Sequence, residues 1–179
     1  MSKSNLKYMV IEALYDRQIR DVVGKLLAYQ RNAPIHIRIV SPIIHDVELS
    51  DGEMLSKKII KLIKFKDAKV TLVINPKMLK KKDKDVIELL ERLDEMGVKI
   101  HCKKDLHAKT ILLESREDRG VLVASANLTP SGLGSNKEIG VYFLNELDDV
   151  YDKIYDYVTD MLKETNVNVK GGDFRANLV

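Results

Sequence analysis

The chain has 179 residues, of which 45% are hydrophobic and 32% charged, and its formal net charge is +3. This composition is typical of a globular protein, and the length suffices for one hydrophobic core without disulfides or metal ions. The single cysteine excludes an internal disulfide framework and favours a reducing compartment, and no apolar run reaches the roughly 18 residues that a membrane span needs. We therefore expect a cytoplasmic protein with one domain over residues 1–179, in which about 166–179 form a flexible tail.

The first half of the chain predicts helices and strands in alternation. The apolar spacing indicates helices over 5–30, Met54–Phe65 and Lys84–Met96, and strands over Ile35–Val40, Lys69–Asn75 and Val98–Cys102. Strands that alternate with helices of 10–15 residues are typical of right-handed βαβ units. The predicted fold class is therefore α/β, with a mixed, mostly parallel β-sheet flanked by helices on both faces.

A loop follows the first predicted strand at its carboxyl end, where open α/β sheets bind their ligands. It contains His45 and Asp46, which could line a cleft there. The alternative, which we favour, is a solvated turn.

The second half predicts a hairpin, a last strand and a last helix. The strands Leu106–Glu114 and Val121–Asn127 are joined by the polar segment Ser115–Gly120, and the strand Glu138–Leu144 and the helix Asp148–Glu164 follow. If the hairpin is symmetric about Glu117, two pairs of residues lie opposite each other, at cross-strand distances of ~5 Å. These pairs are His107 with Asn127, and Lys109 with Ser125.

These four polar side chains interrupt two strands that otherwise have the composition of buried strands. One interpretation is that they are ordinary strand residues whose tips reach water. However, burying an unpaired ammonium group is costly, so a lysine in this position should face an anion. Lys109, Ser125 and Asn127 are all hydrogen-bond donors suited to phosphodiester oxygens, and His107 can attack phosphorus or transfer protons near neutral pH. We therefore predict a functional site at this hairpin.

The pattern His107-x-Lys109 with Glu114, followed by Ser125-x-Asn127, resembles the His-Lys-Asp signature of the phospholipase D superfamily. The specific resemblance spans about residues 100–144 and includes the continuation Leu128–Leu133 and Asn136–Val141. Two positions depart from the pattern, since Glu114 replaces the usual aspartate and Ala124 the usual glycine. In the family the acidic position is mainly structural, and a downstream glutamate, here Glu138, commonly orients the catalytic histidine.

The resemblance implies a metal-independent phosphodiesterase that works through a phosphohistidine intermediate, with no cofactor and no metal site. The catalytic residues would be His107, Lys109, Ser125, Asn127 and Glu138, with the Glu138 carboxylate accepting the proton of His107 Nδ1. In the family a second histidine protonates the leaving group, and this chain has one copy of the motif. We therefore expect a two-fold homodimer with one shared site.

The smallest single-copy members of the superfamily are nucleases, so DNA or RNA is the expected substrate. Two lysine clusters fit a phosphate backbone, although each alone is better explained as a solvated helix face. The first runs from Lys57 to Lys66, and the second includes Lys80, Lys81 and Lys82 as weak candidates for substrate binding. Two alternatives stay open: a non-catalytic nucleic-acid-binding or regulatory module, and a phospholipid phosphodiesterase. The latter ranks lower because the sequence reveals no amphipathic surface for a membrane interface.

Overall fold

A seven-stranded sheet with helices on both faces forms the centre of the computed structural model, which describes residues 10–28, 35–80 and 83–165. The predicted tail at 166–179 lies outside these residues. The strands are β1 (Val10–Tyr15), β2 (His36–Val40), β3 (Lys69–Ile74), β4 (Lys99–Cys102), β5 (Thr110–Glu114), β6 (Arg119–Ala124) and β7 (Ile139–Leu144). The helices are α1 (Arg17–Leu27), α2 (Leu55–Lys66), α3 (Lys77–Lys80), α4 (Lys84–Glu95) and α5 (Asp148–Lys163).

The strand order β1-β7-β6-β5-β2-β3-β4 confirms the α/β class and corrects the predicted strand directions. Only the pairs β2–β3 and β3–β4 are parallel, and each is joined by the predicted βαβ crossover. The other four pairs are antiparallel. The sheet is therefore mixed but not mostly parallel, because every strand after β4 pairs in an antiparallel manner.

The first predicted helix is wrong over its initial part, since Val10–Tyr15 form the edge strand β1 and the helix begins at Arg17. The segment is apolar at nearly every position, so it fits both the roughly 3.6-residue repeat of a helix and the two-residue repeat of a strand. Pairing with β7, which lies far away in the sequence, selects the strand. Asp16 separates the two elements with a left-handed backbone at φ 49°.

Two hydrophobic cores lie on opposite faces of the sheet. On one face α1, α2 and α4 pack against residues such as Ile37, Leu72 and Leu122. On the other face α5 packs against Leu112 and Phe143. Within the described part of the chain, no helix is both long and apolar enough to cross a membrane.

The hairpin register differs by one residue from the predicted symmetry about Glu117. Thr110 pairs with Val123, and the Lys109 carbonyl accepts a hydrogen bond from the Ala124 amide at 3.1 Å. A tight turn causes the shift, because the Ser115 hydroxyl accepts the Asp118 amide at 3.0 Å. Lys109 therefore lies opposite Ala124 rather than Ser125.

Candidate active site

The predicted catalytic residues meet at one end of the sheet instead of on one face of two strands. His107 and Lys109 lie in the segment just before β5, Ser125 follows β6, and Glu138 comes immediately before β7. This is also the end at which the parallel strands β2 and β3 finish, where ligands bind in open α/β sheets. The sheet therefore gathers these groups although they leave the regular strands.

His107 and Lys109 form the first half of the site. The Lys109 ammonium donates to the His107 carbonyl at 2.7 Å and lies 3.4 Å from His107 Nδ1. The imidazole is exposed and the lysine is half-buried. This burial lowers the pKa of Lys109 below its ordinary value, and the negative charge of Glu138 partly opposes the shift.

Ser125 and Glu138 form the second half. The Ser125 hydroxyl donates a short hydrogen bond to Glu138 Oε2 and accepts one from the Ile139 amide at 3.1 Å. The other carboxylate oxygen of Glu138 accepts from the Asn136 side-chain amide at 3.2 Å. Both oxygens therefore have partners other than His107, and the predicted hydrogen bond from His107 Nδ1 to Glu138 is not formed in this structure.

Asp16 supports Glu138 from the other side, and nothing in the sequence pattern singles this residue out. The Asp16 amide donates to the Glu138 carbonyl at 2.9 Å, and the Glu138 amide donates to Asp16 Oδ1 at 3.0 Å. The hydrogen bond from the Glu138 amide, helped by the Lys137 ammonium, lowers the pKa of Asp16. Asp16 lay inside the predicted helix 5–30, so its role depends on the β1–β7 pairing.

Asn127 is held by the loop that follows it. Its carbonyl accepts from the Thr129 amide at 2.9 Å, and a Cβ at Gly132 would lie 2.4 Å from the same carbonyl oxygen. The side-chain oxygen of Asn127 is buried and has no partner among the described residues. No hydrogen bond joins this side chain to the other four candidates, so its predicted role rests on the motif.

A groove of about 860 Å³ runs from the polar groups along the face of the sheet that carries α5. His107, Lys109 and Ser125 line one end, and most of the remaining lining is apolar. We call the surrounding exposed side chains the apolar face; they are Ile11, Tyr15, Val123, Ile139, Val141 and Tyr157. Five of these lie on strands where polar residues would be expected at exposed positions. The sequence did not predict this exposed apolar face.

The other predicted groups lie away from this site or have structural partners. Lys81 and Lys82 are outside the described residues, and of Lys80 only the backbone, at the end of α3, is described. In the first lysine cluster, Lys58 is buried and pairs with Asp51 at 2.5 Å, and Glu53 pairs with Lys61 at 2.5 Å. Buried Lys58 therefore has a structural partner, whereas Lys61 is 52% exposed.

Glu114 and Asp46 also have structural positions. Glu114 is the last residue of β5, so it lies at the end of the sheet opposite to His107. It pairs with His36 of β2. Asp46 accepts hydrogen bonds from the Ser56 amide at 2.9 Å and from Arg92 at 2.6 Å. Asp46 thus anchors the beginning of α2 and does not line a cleft.

Several solved structures share this fold and superpose on most of the chain. A phospholipase D family member, Nuc from Salmonella typhimurium, superposes with a TM-score of 0.72 at 15% identity and covers 92% of this chain and 100% of its own. NucT from Helicobacter pylori gives a TM-score of 0.66 at 14% identity and covers 88% of this chain and 98% of its own. Phosphatidylserine synthase from Haemophilus influenzae gives 0.64 at 15% identity over 93% of this chain and 41% of its own. At these identities the likeness establishes the fold.

The family follows from the sequence itself. The family described as "Cardiolipin synthase, PLD-like domain" matches residues 26–162, which are well over half of the chain. The chain therefore belongs to this family within the phospholipase D superfamily, as its motif predicted. Comparison with curated proteins finds no significant match.

Proposed function

We propose that this protein is a metal-independent phosphodiesterase, an endonuclease that cleaves DNA or RNA at a site shared between two copies. The observation that carries the proposal is the convergence of His107, Lys109 and Ser125 in one groove, with Glu138 bound to Ser125. This set combines one nucleophile with donors for phosphate oxygens and leaves no group without a chemical role.

The proposed reaction begins with attack by His107 Nε2 on phosphorus. A P–N bond forms, and the P–O bond to the leaving alkoxide breaks while that alkoxide takes a proton. Lys109 stabilises the charge on the non-bridging oxygens, and Asn127 contributes a further donor. Ser125 donates to them once its hydroxyl turns away from Glu138 Oε2. Water then attacks the phosphohistidine and releases His107. The Lys109 ammonium lies 3.4 Å from His107 Nδ1, so the nucleophile and a cationic donor for the phosphate oxygens stand side by side.

A second histidine must supply the proton to the leaving group, and the groove of one chain has only His107. The other three histidines of the sequence, His36, His45 and His101, do not line it. We therefore infer that His107 of a second copy completes the site, through a two-fold contact made by the apolar face. This face directly adjoins His107, and its burial would remove a large apolar surface from water.

Nucleic acid is the proposed substrate because the motif is that of small single-copy superfamily members and the chain carries a positive net charge of +3. An archaeal chromatin protein whose reported structure concerns a novel mode of DNA binding also shares the fold, with a TM-score of 0.57 at 12% identity over 88% of this chain and 54% of its own. The proposed cytoplasmic location rests on the single cysteine, which has no partner for a disulfide.

The apolar groove favours one second candidate, a phospholipid phosphodiesterase. Acyl chains could lie along Val141, Ile139 and Tyr157 while the phosphodiester reaches His107. Either substrate needs a second histidine to protonate the leaving group, so the substrate and not the oligomeric state separates the two candidates.

The test is a substrate panel in the presence of EDTA. The wild-type protein and the His107→Ala variant are incubated with plasmid DNA, single-stranded DNA, RNA and phospholipid vesicles. We expect cleavage of a nucleic acid that is lost in the variant. Release of a lipid headgroup alone would establish the second candidate. Binding of DNA with no cleavage of any substrate would instead identify a non-catalytic binding module.

A further inference from the structure

A second cleft, of about 340 Å³, opens at the carboxyl ends of β2 and β3. Its lining includes Pro42, Ile43, His45, Asn75, Lys77 and Met78, and none of these residues lines the apolar groove. The volume lies in the range of small-molecule sites. The sequence analysis considered His45 for a cleft at this position but favoured a solvated turn, so the structure supports the alternative that ranked lower.

Two hydrogen bonds join the walls of this cleft to the segments that carry the catalytic groups. The Asn75 side-chain amide donates to the carbonyl of Leu106, the residue before His107, at 3.4 Å. The His45 amide donates to the carbonyl of Leu128, the residue after Asn127, at 2.8 Å. The cleft therefore adjoins the segments that carry His107 and Asn127.

The chemistry of the lining suits a flat heterocycle with a polar rim. Pro42, Ile43 and Met78 supply apolar contacts, and Ile43 keeps 38% of its surface exposed. The His45 ring makes no hydrogen bond with the described residues, so its donor and acceptor are free for a ligand. Lys77 stands beside the cleft with only a loose 3.5 Å ion pair to Asp105, both side chains being largely exposed.

We propose that this cleft binds the nucleobase next to the scissile phosphate, with His45 contacting the base and Lys77 near the next phosphate. The inference deepens the proposed function and rests on it for the position of the phosphate. Stacking on apolar and ring side chains is tolerant of base identity, so the cleft would favour nucleotides over other phosphodiesters without selecting a sequence.

The test compares a dinucleoside phosphodiester with analogues in which one base or the other is absent. For the wild-type protein we expect one of the two abasic analogues to have a kcat/KM about tenfold lower than the dinucleoside, in line with the usual effect of losing one stacked base. His45→Ala should lower kcat/KM for the dinucleoside by a similar factor and leave that for the affected abasic analogue unchanged.

Two further variants test whether the loss of activity comes from the cleft. Ile43→Asp places a carboxylate at the cleft and should give the same selective loss, whereas His36→Ala changes a histidine at the opposite end of β2 and should alter neither substrate. Equal hydrolysis of the dinucleoside and both abasic analogues by the wild type would overturn the inference. So would an equal loss on all substrates in His45→Ala.

The failure of this inference is distinguishable from failure of the proposed function. If the wild-type protein cleaves no diester, the phosphodiesterase proposal fails, and the cleft is then tested by calorimetric binding of the same dinucleoside and analogues. Binding that weakens in His45→Ala only for the ligand with both bases supports the cleft. Binding that is unaffected by His45→Ala contradicts it.

Discussion

At the residue scale, Glu138 connects the two halves of the candidate site. Its carboxylate accepts from Ser125 and Asn136, and its negative charge raises the pKa of Lys109 against the stronger effect of burial. Its backbone is fixed in turn by two hydrogen bonds with Asp16. Glu138 therefore influences both the position of the serine and the protonation of the lysine.

Replacing Glu138 by Gln should move the alkaline limit of activity to lower pH. Lys109 acts as a cation, so activity is lost as the pH rises through its pKa, and removal of a nearby negative charge lowers that pKa further. We also expect turnover to fall roughly ten- to a hundredfold, since Ser125 loses a charged acceptor. A pH profile of kcat with an aryl phosphodiester measures both effects.

The matched control is Glu164→Gln, which removes the ion pair with Lys103 beside the distant edge strand β4. Its profile should coincide with that of the wild type. An unchanged alkaline limit in Glu138→Gln would contradict the assigned coupling between Glu138 and Lys109.

Asp16 offers a separate test of how the carboxylate is positioned. Asp16→Ala removes the acceptor for the Glu138 amide and should lower kcat several-fold with little change in KM, because it touches no substrate. Asp16→Asn retains an acceptor oxygen and should recover most of the activity. Steady-state kinetics of the two variants decide the point; similar losses in both would indicate that the Lys137 ion pair matters instead.

His107, Lys109, Ser125 and Glu138 were proposed from residue type, spacing and the resemblance to the superfamily motif. The structure brings them to one end of the sheet, and their catalytic roles stay predictions. The actual partners of Glu138 were not predictable, because they depend on which residues the β1–β7 and β6–β7 pairings bring together.

At the element scale, the loop after Asn127 determines where that residue sits. The Gly132 amide donates to Thr129 Oγ1 at 3.0 Å, and the missing side chain at Gly132 lets the loop close over the Asn127 backbone. Leu133, which follows, is buried in the main core. The loop therefore links core packing to the geometry of the site.

Gly132→Ala should both destabilise the protein and impair catalysis. The added Cβ would meet the Asn127 carbonyl oxygen at 2.4 Å, so backbone must shift, at a cost of about 1–3 kcal/mol. Urea unfolding and kcat report the two effects. Gly24→Ala is the control. Gly24 lies within helix α1, and an added Cβ would come no closer than 3.4 Å to Ser50 Oγ, so this replacement should not reduce stability. A fully stable and active Gly132→Ala protein would contradict this account of the loop.

Local periodicity predicted the strongly amphipathic elements correctly. It failed where strand pairing between residues far apart in the sequence determines the structure. The helices α2 and α4 begin and end within one residue of their predicted bounds, since each has one apolar stripe and a defined end. Strand β1 was assigned to a helix because its apolar residues fit both periods. The hairpin register was also missed by one residue, because the Ser115 turn and not symmetry sets it.

At the scale of the whole molecule, the two faces of the sheet differ in how completely they are covered. Among the described residues, three helices cover the main core, whereas α5 is the one helix on the other face and leaves the apolar face exposed beside His107. Sequence alone could not locate this surface, because its residues have the alternation of an ordinary buried strand. A second copy would cover it and complete the site at once.

Tyr157→Asp and Ile11→Asp should each convert a dimer into monomers and abolish diesterase activity, because each places a charge on the apolar face. Phe65→Asp is the matched control; Phe65 is 74% exposed on α2, away from this face, and its replacement should leave the assembly unchanged. Sedimentation velocity and turnover are measured on the same samples. An active wild-type monomer would contradict the shared site.

The central claim is that His107 performs phosphodiester chemistry, and its most direct test is turnover of a bis-aryl phosphodiester in EDTA. We predict hydrolysis by the wild-type protein, a loss of at least about a thousandfold in His107→Ala, and wild-type rates in His36→Ala, since removing a nucleophile abolishes the covalent route. Turnover in His107→Ala within a factor of about ten of the wild type would contradict the claim.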